Sequence, residues 1–202
     1  MDLSENRWPS LAPMSENKRN HNARELRPAM AISLYDVSVT SFLQSLNGVA
    51  GFLDRGLSHF TDNNIDPNTI VDVRLFPDML PFWFQISSVV HHSAEAIDGV
   101  RAGTFSPGGA SPPLSYADLQ KLVADAQASL KALDPAEVNG FEGQDMAFVM
   151  GSMRMPFTAE GFLMSFSLPN LHFHATTAYD ILRMQGVPLG KRDYLGGLRL
   201  KA

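Results

Sequence analysis

At 202 residues, 45% of them apolar, the chain suits one domain with a substantial core and an appended segment better than two domains. A net charge of −5 argues against nucleic acid as a partner, and the absence of cysteine removes disulfides, thiolate catalysis and thiolate metal sites. No apolar run is long enough for a bilayer span and none opens the chain as a secretory signal, so no membrane association is expected and a cytoplasmic location is the reading.

Residues 1–30 are rich in Asn, Arg, Glu, Ser and Pro, with Trp8 as a lone apolar anchor. Such a segment buries too little to offset its ordering entropy, so it reads as a flexible N-terminal extension, with residues 31–202 as a single domain. From Leu34 to Phe60, Val39, Phe42, Leu43, Leu46, Val49, Leu53 and Leu57 recur at three- and four-residue steps, which predicts the first helix. Asn63-Asn64 and Asp66-Pro67 end it. Pro77 is placed in the first turn of a second helix that runs to about Val100, with Asp78 at its positive end. A Gly/Pro/Ser-rich loop spans Ala102 to Pro113, and Ser115 caps the third helix.

Met146, Phe148 and Met150, then Met153 and Met155, alternate at period two around Gly151-Ser152, so a short β-hairpin or extended crossing is expected. Thr158 starts a fourth helix reaching Gln185, kinked or split at Pro169. The tail from Val187 reads as a turn-rich cover. The fold class is therefore mainly α, a four-helix bundle with a short β element before the fourth helix.

On a helical wheel, Met79, Phe82, Trp83, Ile86, Val90 and Ile97 share one face of the second helix, and Asp78, Gln85 and His92, seven residues apart, form a polar stripe at its edge. His91 points away. On the fourth helix His174 falls within the apolar face of Leu163, Leu171, Ala175, Ala178, Ile181 and Leu182, with His172 and Tyr179 at its border. Pairing these helices brings His174 opposite the stripe. The functional reading makes His174 a catalytic base and Asp78 an acid–base or orienting group. Gln85, His92 and Tyr179 supply hydrogen bonds, and Trp83, Phe82 and the Met-rich crossing hold a largely apolar small-molecule ligand. The alternative is a neutral His174 hydrogen-bonded to Gln85 or Asp78 as a satisfied core pair.

A metal is disfavoured and no other cofactor is expected. Helical ligands pair at three or four residues' separation, whereas His172-x-His174 and His91-His92 put their rings on different faces. No nucleophile elbow, phosphate loop or dinucleotide fingerprint is present.

The stretches from Leu34 to Val39 (LYDVSV), Arg74 to Met79 (RLFPDM), Phe173 to Arg183 (FHATTAYDILR) and Gly186 to Asp193 (GVPLGKRD) resemble an uncharacterised domain-of-unknown-function family, a branch of the DinB/YfiT-like helical bundles. The resemblance covers about Ser33 to Gly196. It implies a four-helix bundle, often a homodimer. Many relatives hold a metal with three histidines, one from the second helix and two from the fourth, and some are metal-dependent transferases. His92 and His174 match two of those positions, while Ala178 stands at the third. Three functions follow as expectations. One is a small-molecule-binding bundle performing isomerisation, cyclisation or hydrolysis by acid–base chemistry. The others are a non-catalytic dimeric structural or interaction protein, and a metal-dependent hydrolase or transferase.

Overall fold

A computed structural model describes residues 32–108 and 114–201; the N-terminal extension read from the sequence lies outside them. Helix α1 (Leu34–Val37) is capped by Ser33, whose hydroxyl accepts from the Asp36 amide at 3.1 Å. It leads into α2 (Val39–Asp62), whose apolar stripe buries Phe42, Leu46, Val49, Phe52, Leu53 and Phe60. Next come a 3₁₀ turn (Pro67–Ile70), α3 (Phe82–His91), α4 (Ala94–Ala102) and a two-residue strand β1 (Thr104–Phe105). The Ser115 cap is present, closed reciprocally with Asp118 ahead of α5 (Tyr116–Lys131), and α6 (Pro135–Asn139) follows. Strands β2 (Asp145–Met150) and β3 (Met153–Thr158) precede α7 (Ala159–Phe162), a π turn (Leu163–Ser167), α8 (Leu168–Met184) and α9 (Lys191–Leu195).

Helix α3 packs on α5 and α8, and α2 packs on the same two, closing the ring of a four-helix bundle. The expected hairpin pairs antiparallel, from Asp145 opposite Thr158 to Met150 opposite Met153. Strand β1 adds to it in parallel, Thr104 beside Ala147 and Phe105 beside Phe148. Two residues are too few to carry an alternation, so β1 was not expected. Among the described residues no helix is long and apolar enough to cross a membrane.

The second helix departs from its expected course at both ends. Residues 77–80 form a turn, and the helix starts only at Phe82, after Pro81. The Phe82 and Trp83 amides, which a first turn leaves without intrahelical partners, donate to the carbonyls of Val73 at 2.8 Å and Val71 at 3.0 Å. The helix then breaks at His92-Ser93, where the Ser93 hydroxyl bonds the carbonyls of Val89 and Val90 at 2.7 and 3.1 Å and competes with the ladder. The fourth helix is divided close to Pro169, into α7 and α8 with the π turn between them. The wider π turn just ahead leaves Pro169 in the first turn of α8, where its missing amide proton is tolerated.

The tail holds the short helix α9 rather than turns alone. It lies so close to α2 that a Cβ on Gly48 would sit 2.3 Å from the Tyr194 carbonyl oxygen. Around that contact Gln44 donates to the Leu195 carbonyl at 3.1 Å, and Arg55 pairs with Asp193 at 2.6 Å. Gly48→Ala is therefore expected to push α9 off α2 and destabilise the fold by about 1–3 kcal/mol, the range for overpacking a close contact. Urea unfolding of the variant measures it; wild-type stability would show that the tail yields without loss.

Candidate functional site

The site is built where α3 meets α8. Gln85 is buried on the first turns of α3, and its Nε2 donates to the Leu80 carbonyl at 2.8 Å. A carbonyl only accepts, so this bond fixes the amide and turns Oε1 toward His174, whose Nδ1 lies 2.8 Å away. His174 therefore carries its hydrogen on Nδ1 and a lone pair on Nε2. That Nε2 has no protein partner among the described residues and is not sealed from solvent, so it opens on the cavity that His174 lines. Burial, with a smaller contribution from the charge of His91, pushes the His174 pKa down to about 4.

His92 closes the end of α3 and keeps 9% of its surface exposed. Its ring lies 5.8 Å from that of His174, centroid to centroid, with the planes 8° apart. Burial, then the charges of His91 and His174, push its pKa down to about 3. The π turn contributes here: the buried Ser167 hydroxyl donates to the His92 carbonyl at 2.8 Å, and Phe166 brings its ring to 5.8 Å from the imidazole. A π turn at a binding site is a recurrent association, because the extra residue re-aims the side chains around it.

His91 faces the same cavity instead of pointing away. Its Nδ1 lies 2.6 Å from a Glu95 carboxylate oxygen and its Nε2 2.9 Å from the Ser106 carbonyl, while the ring stacks on Phe105 at 4.3 Å. Both partners are acceptors, so both ring nitrogens are engaged within the protein. The hydrogen bond from His91 holds the Glu95 carboxyl below its ordinary pKa in spite of burial. The cavity between these groups has a volume of about 280 Å³ and aromatic walls from Trp83, Phe84, Phe105, Phe148 and Phe166.

Of the residues singled out from the sequence, His174, Gln85, His92 and Trp83 come together here. Asp78 does not: it is exposed in the turn before α3, because the helix on which it was projected begins four residues later. The turn it occupies is held by its backbone, with Arg74 donating to the Met79 carbonyl. Phe82 is fully buried elsewhere, stacked on Tyr116 with centroids 6.2 Å apart. Tyr179 packs edge-on against Phe52 and Tyr194. Among the described residues no methionine lines the cavity; Met146 is in the core and Met150, Met153 and Met164 are exposed. The hairpin contributes Phe148 instead. Of the wall residues not anticipated, Glu95 alone had a readable signal, its four-residue spacing from His91 on a helix.

The sequence matches, over residues 34–195, the family described as "Domain of unknown function (DUF1993)". The chain belongs to that family. A solved structure of a DinB family member protein from Shewanella denitrificans shares its fold, with a TM-score of 0.69 at 24% identity across 84% of this chain and 95% of that one. No curated protein matches the sequence. This DUF1993 member is thus a DinB-like helical bundle.

The three-histidine metal set of the wider superfamily does not fit the donors present. His91 has both nitrogens engaged, His174 has one engaged by Gln85, and Ala178 is fully buried at the third position. Among the described residues no three His, Cys, Asp or Glu side chains are grouped to hold an ion. Two free imidazole Nε2 atoms fall short of the three protein ligands of an open metal site.

Proposed function

We propose that this domain binds a small, largely apolar molecule in the cavity between α3 and α8, with His174 accepting a hydrogen bond from it. The observation that carries the reading is the His174 Nε2 lone pair, held toward an aromatic-walled cavity by the buried Gln85 on the other face of the ring. At about 280 Å³ the cavity is near the lower end of ligand pockets, about 300–1,000 Å³, and suits a molecule of one ring. Trp83 serves as a wall and His92 as a polar neighbour. A conjugate acid near pH 4 makes His174 a weak base. Acid–base turnover at this site is accordingly confined to protons that are already acidic, in isomerisation, cyclisation or hydrolysis.

Phenol, a ring with one donor, tests the reading. Titrated into the ¹⁵N-labelled chain, it is expected to shift the amides of α3 and α8 around Trp83 and His174, and His174→Ala to weaken binding at least tenfold while the spectrum stays folded. A variant that binds phenol normally would sink the assignment. A second reading, a non-catalytic homodimer or interaction protein, is favoured by Phe76 and Phe173, which are 64% and 56% exposed. In that reading the Gln85–His174 pair serves to fix helix register, and the core would admit no ligand.

A further inference from the structure

The two buried histidines present opposite faces of hydrogen-bond chemistry to the cavity. In His174 the hydrogen sits on Nδ1, because Gln85 Oε1 accepts there, so Nε2 is an acceptor. In His92 it is Nδ1 that is sealed from solvent with no partner among the described residues. A buried N–H left without an acceptor is rarer and costlier than an unmet lone pair, so the His92 hydrogen belongs on Nε2. That Nε2 has no protein partner among the described residues and is not sealed, so it presents an N–H donor. One acceptor and one donor thus act in near-parallel planes, on rings 5.8 Å apart.

The remaining polarity of the cavity narrows what the pair recognises. Among the described residues no lysine or arginine lines it, and both ring nitrogens of His91 are engaged, by Glu95 and Ser106. The donors left, such as the His92 N–H and the Ser88 hydroxyl, are neutral, and desolvating a carboxylate or phosphate without a countercharge is strongly unfavourable.

Resting on the binding role proposed above, we propose that the site takes a neutral, planar ligand carrying a hydrogen-bond donor and an acceptor on one edge. The cyclic amide is the simplest such group. Its N–H donates to His174 Nε2 and its carbonyl accepts from His92 Nε2–H, while the ring is sandwiched by the aromatic walls. His92 becomes a specificity-determining residue, a neutral imidazole that polarises a carbonyl without transferring its proton.

Long-range ¹H–¹⁵N spectra of the full chain labelled at histidine read the tautomers directly. His174 is expected as the Nδ1–H form and His92 as the Nε2–H form; either one reversed overturns the proposal. In titrations, 2-pyridone is expected to bind at least tenfold more tightly than phenol, whose single oxygen must serve as both donor and acceptor, or pyridine, which lacks the donor, with benzoate weaker still. His92→Leu should abolish the preference, leaving 2-pyridone and phenol to bind within a factor of about two of each other. Equal binding of phenol and 2-pyridone overturns the donor–acceptor pair but leaves the binding role standing. If none of the four compounds binds, both fall.

Discussion

Lowering the pH from 7 to 5 is expected to remove about 4 kcal/mol of folding stability through His92 and His174 together. Their pKa values in the folded protein, about 3 and about 4, lie well below the ordinary 6.5 that each regains on unfolding. Between those values the unfolded chain binds protons that the folded chain refuses. Stability is therefore complete above pH 6.5, falls as the pH drops below it, and stops falling through these groups once the folded pKa values are reached. His91 contributes to both lowered values: its ring lies 5.2 Å from that of His92, and its charge opposes a second cation on His92 or His174. The carboxylates with lowered pKa values, Glu95 and Asp36 among them, act in the opposite protonation range, below about pH 5, so the chosen window isolates the histidines, with His172, also lowered by burial, adding a smaller loss of the same sign. Urea unfolding at the two pH values measures the loss, and His174→Gln should reduce it by about half. Equal stability at both would mean that the imidazoles are not buried in neutral form.

How far the site could be read from sequence depended on which elements were regular. The α2 stripe and the Ser115 cap are local patterns, and both helices form where the periodicity puts them. Pairing Gln85 with His174 required only two correct helical faces, and both faces are correct over that stretch. Asp78 was lost because the Phe82 and Trp83 amides bond to Val73 and Val71, contacts that no periodicity encodes, so the helix begins late. His91 was misdirected for a related reason: the break at His92-Ser93 and strand β1 carry Phe105 and Ser106 over its ring. Phe166 lies on a π turn, whose step differs from the 3.6-residue helix used for the wheel. The family motifs also resolve into separate roles. The segment around Asp78 shapes the turn whose Leu80 carbonyl holds Gln85, while the segment around Asp193 clamps α9 onto α2.

Gln85 is where these roles meet, and two substitutions there should separate them. Gln85→Leu removes the acceptor of the His174 Nδ1–H and the donor to the Leu80 carbonyl together. The carbonyl, in the partly exposed turn, can rehydrate, but the imidazole N–H is left among apolar neighbours, so a loss of about 2–3 kcal/mol is expected. Gln85→Glu keeps an acceptor for His174 but loses the donor to Leu80, and it sets a carboxylate beside the imidazole. An adjacent negative charge favours the imidazolium, so the His174 pKa should rise from about 4 by at least one unit. Because the folded value then approaches the unfolded one, the acid sensitivity argued above should shrink in Gln85→Glu even as its stability at pH 7 falls. Histidine titration by NMR and urea unfolding at two pH values read the two effects separately. A His174 pKa that stays near 4 in Gln85→Glu would mean that the side chain at position 85 does not govern this ring. In that case the lone pair offered to the cavity is set by burial alone.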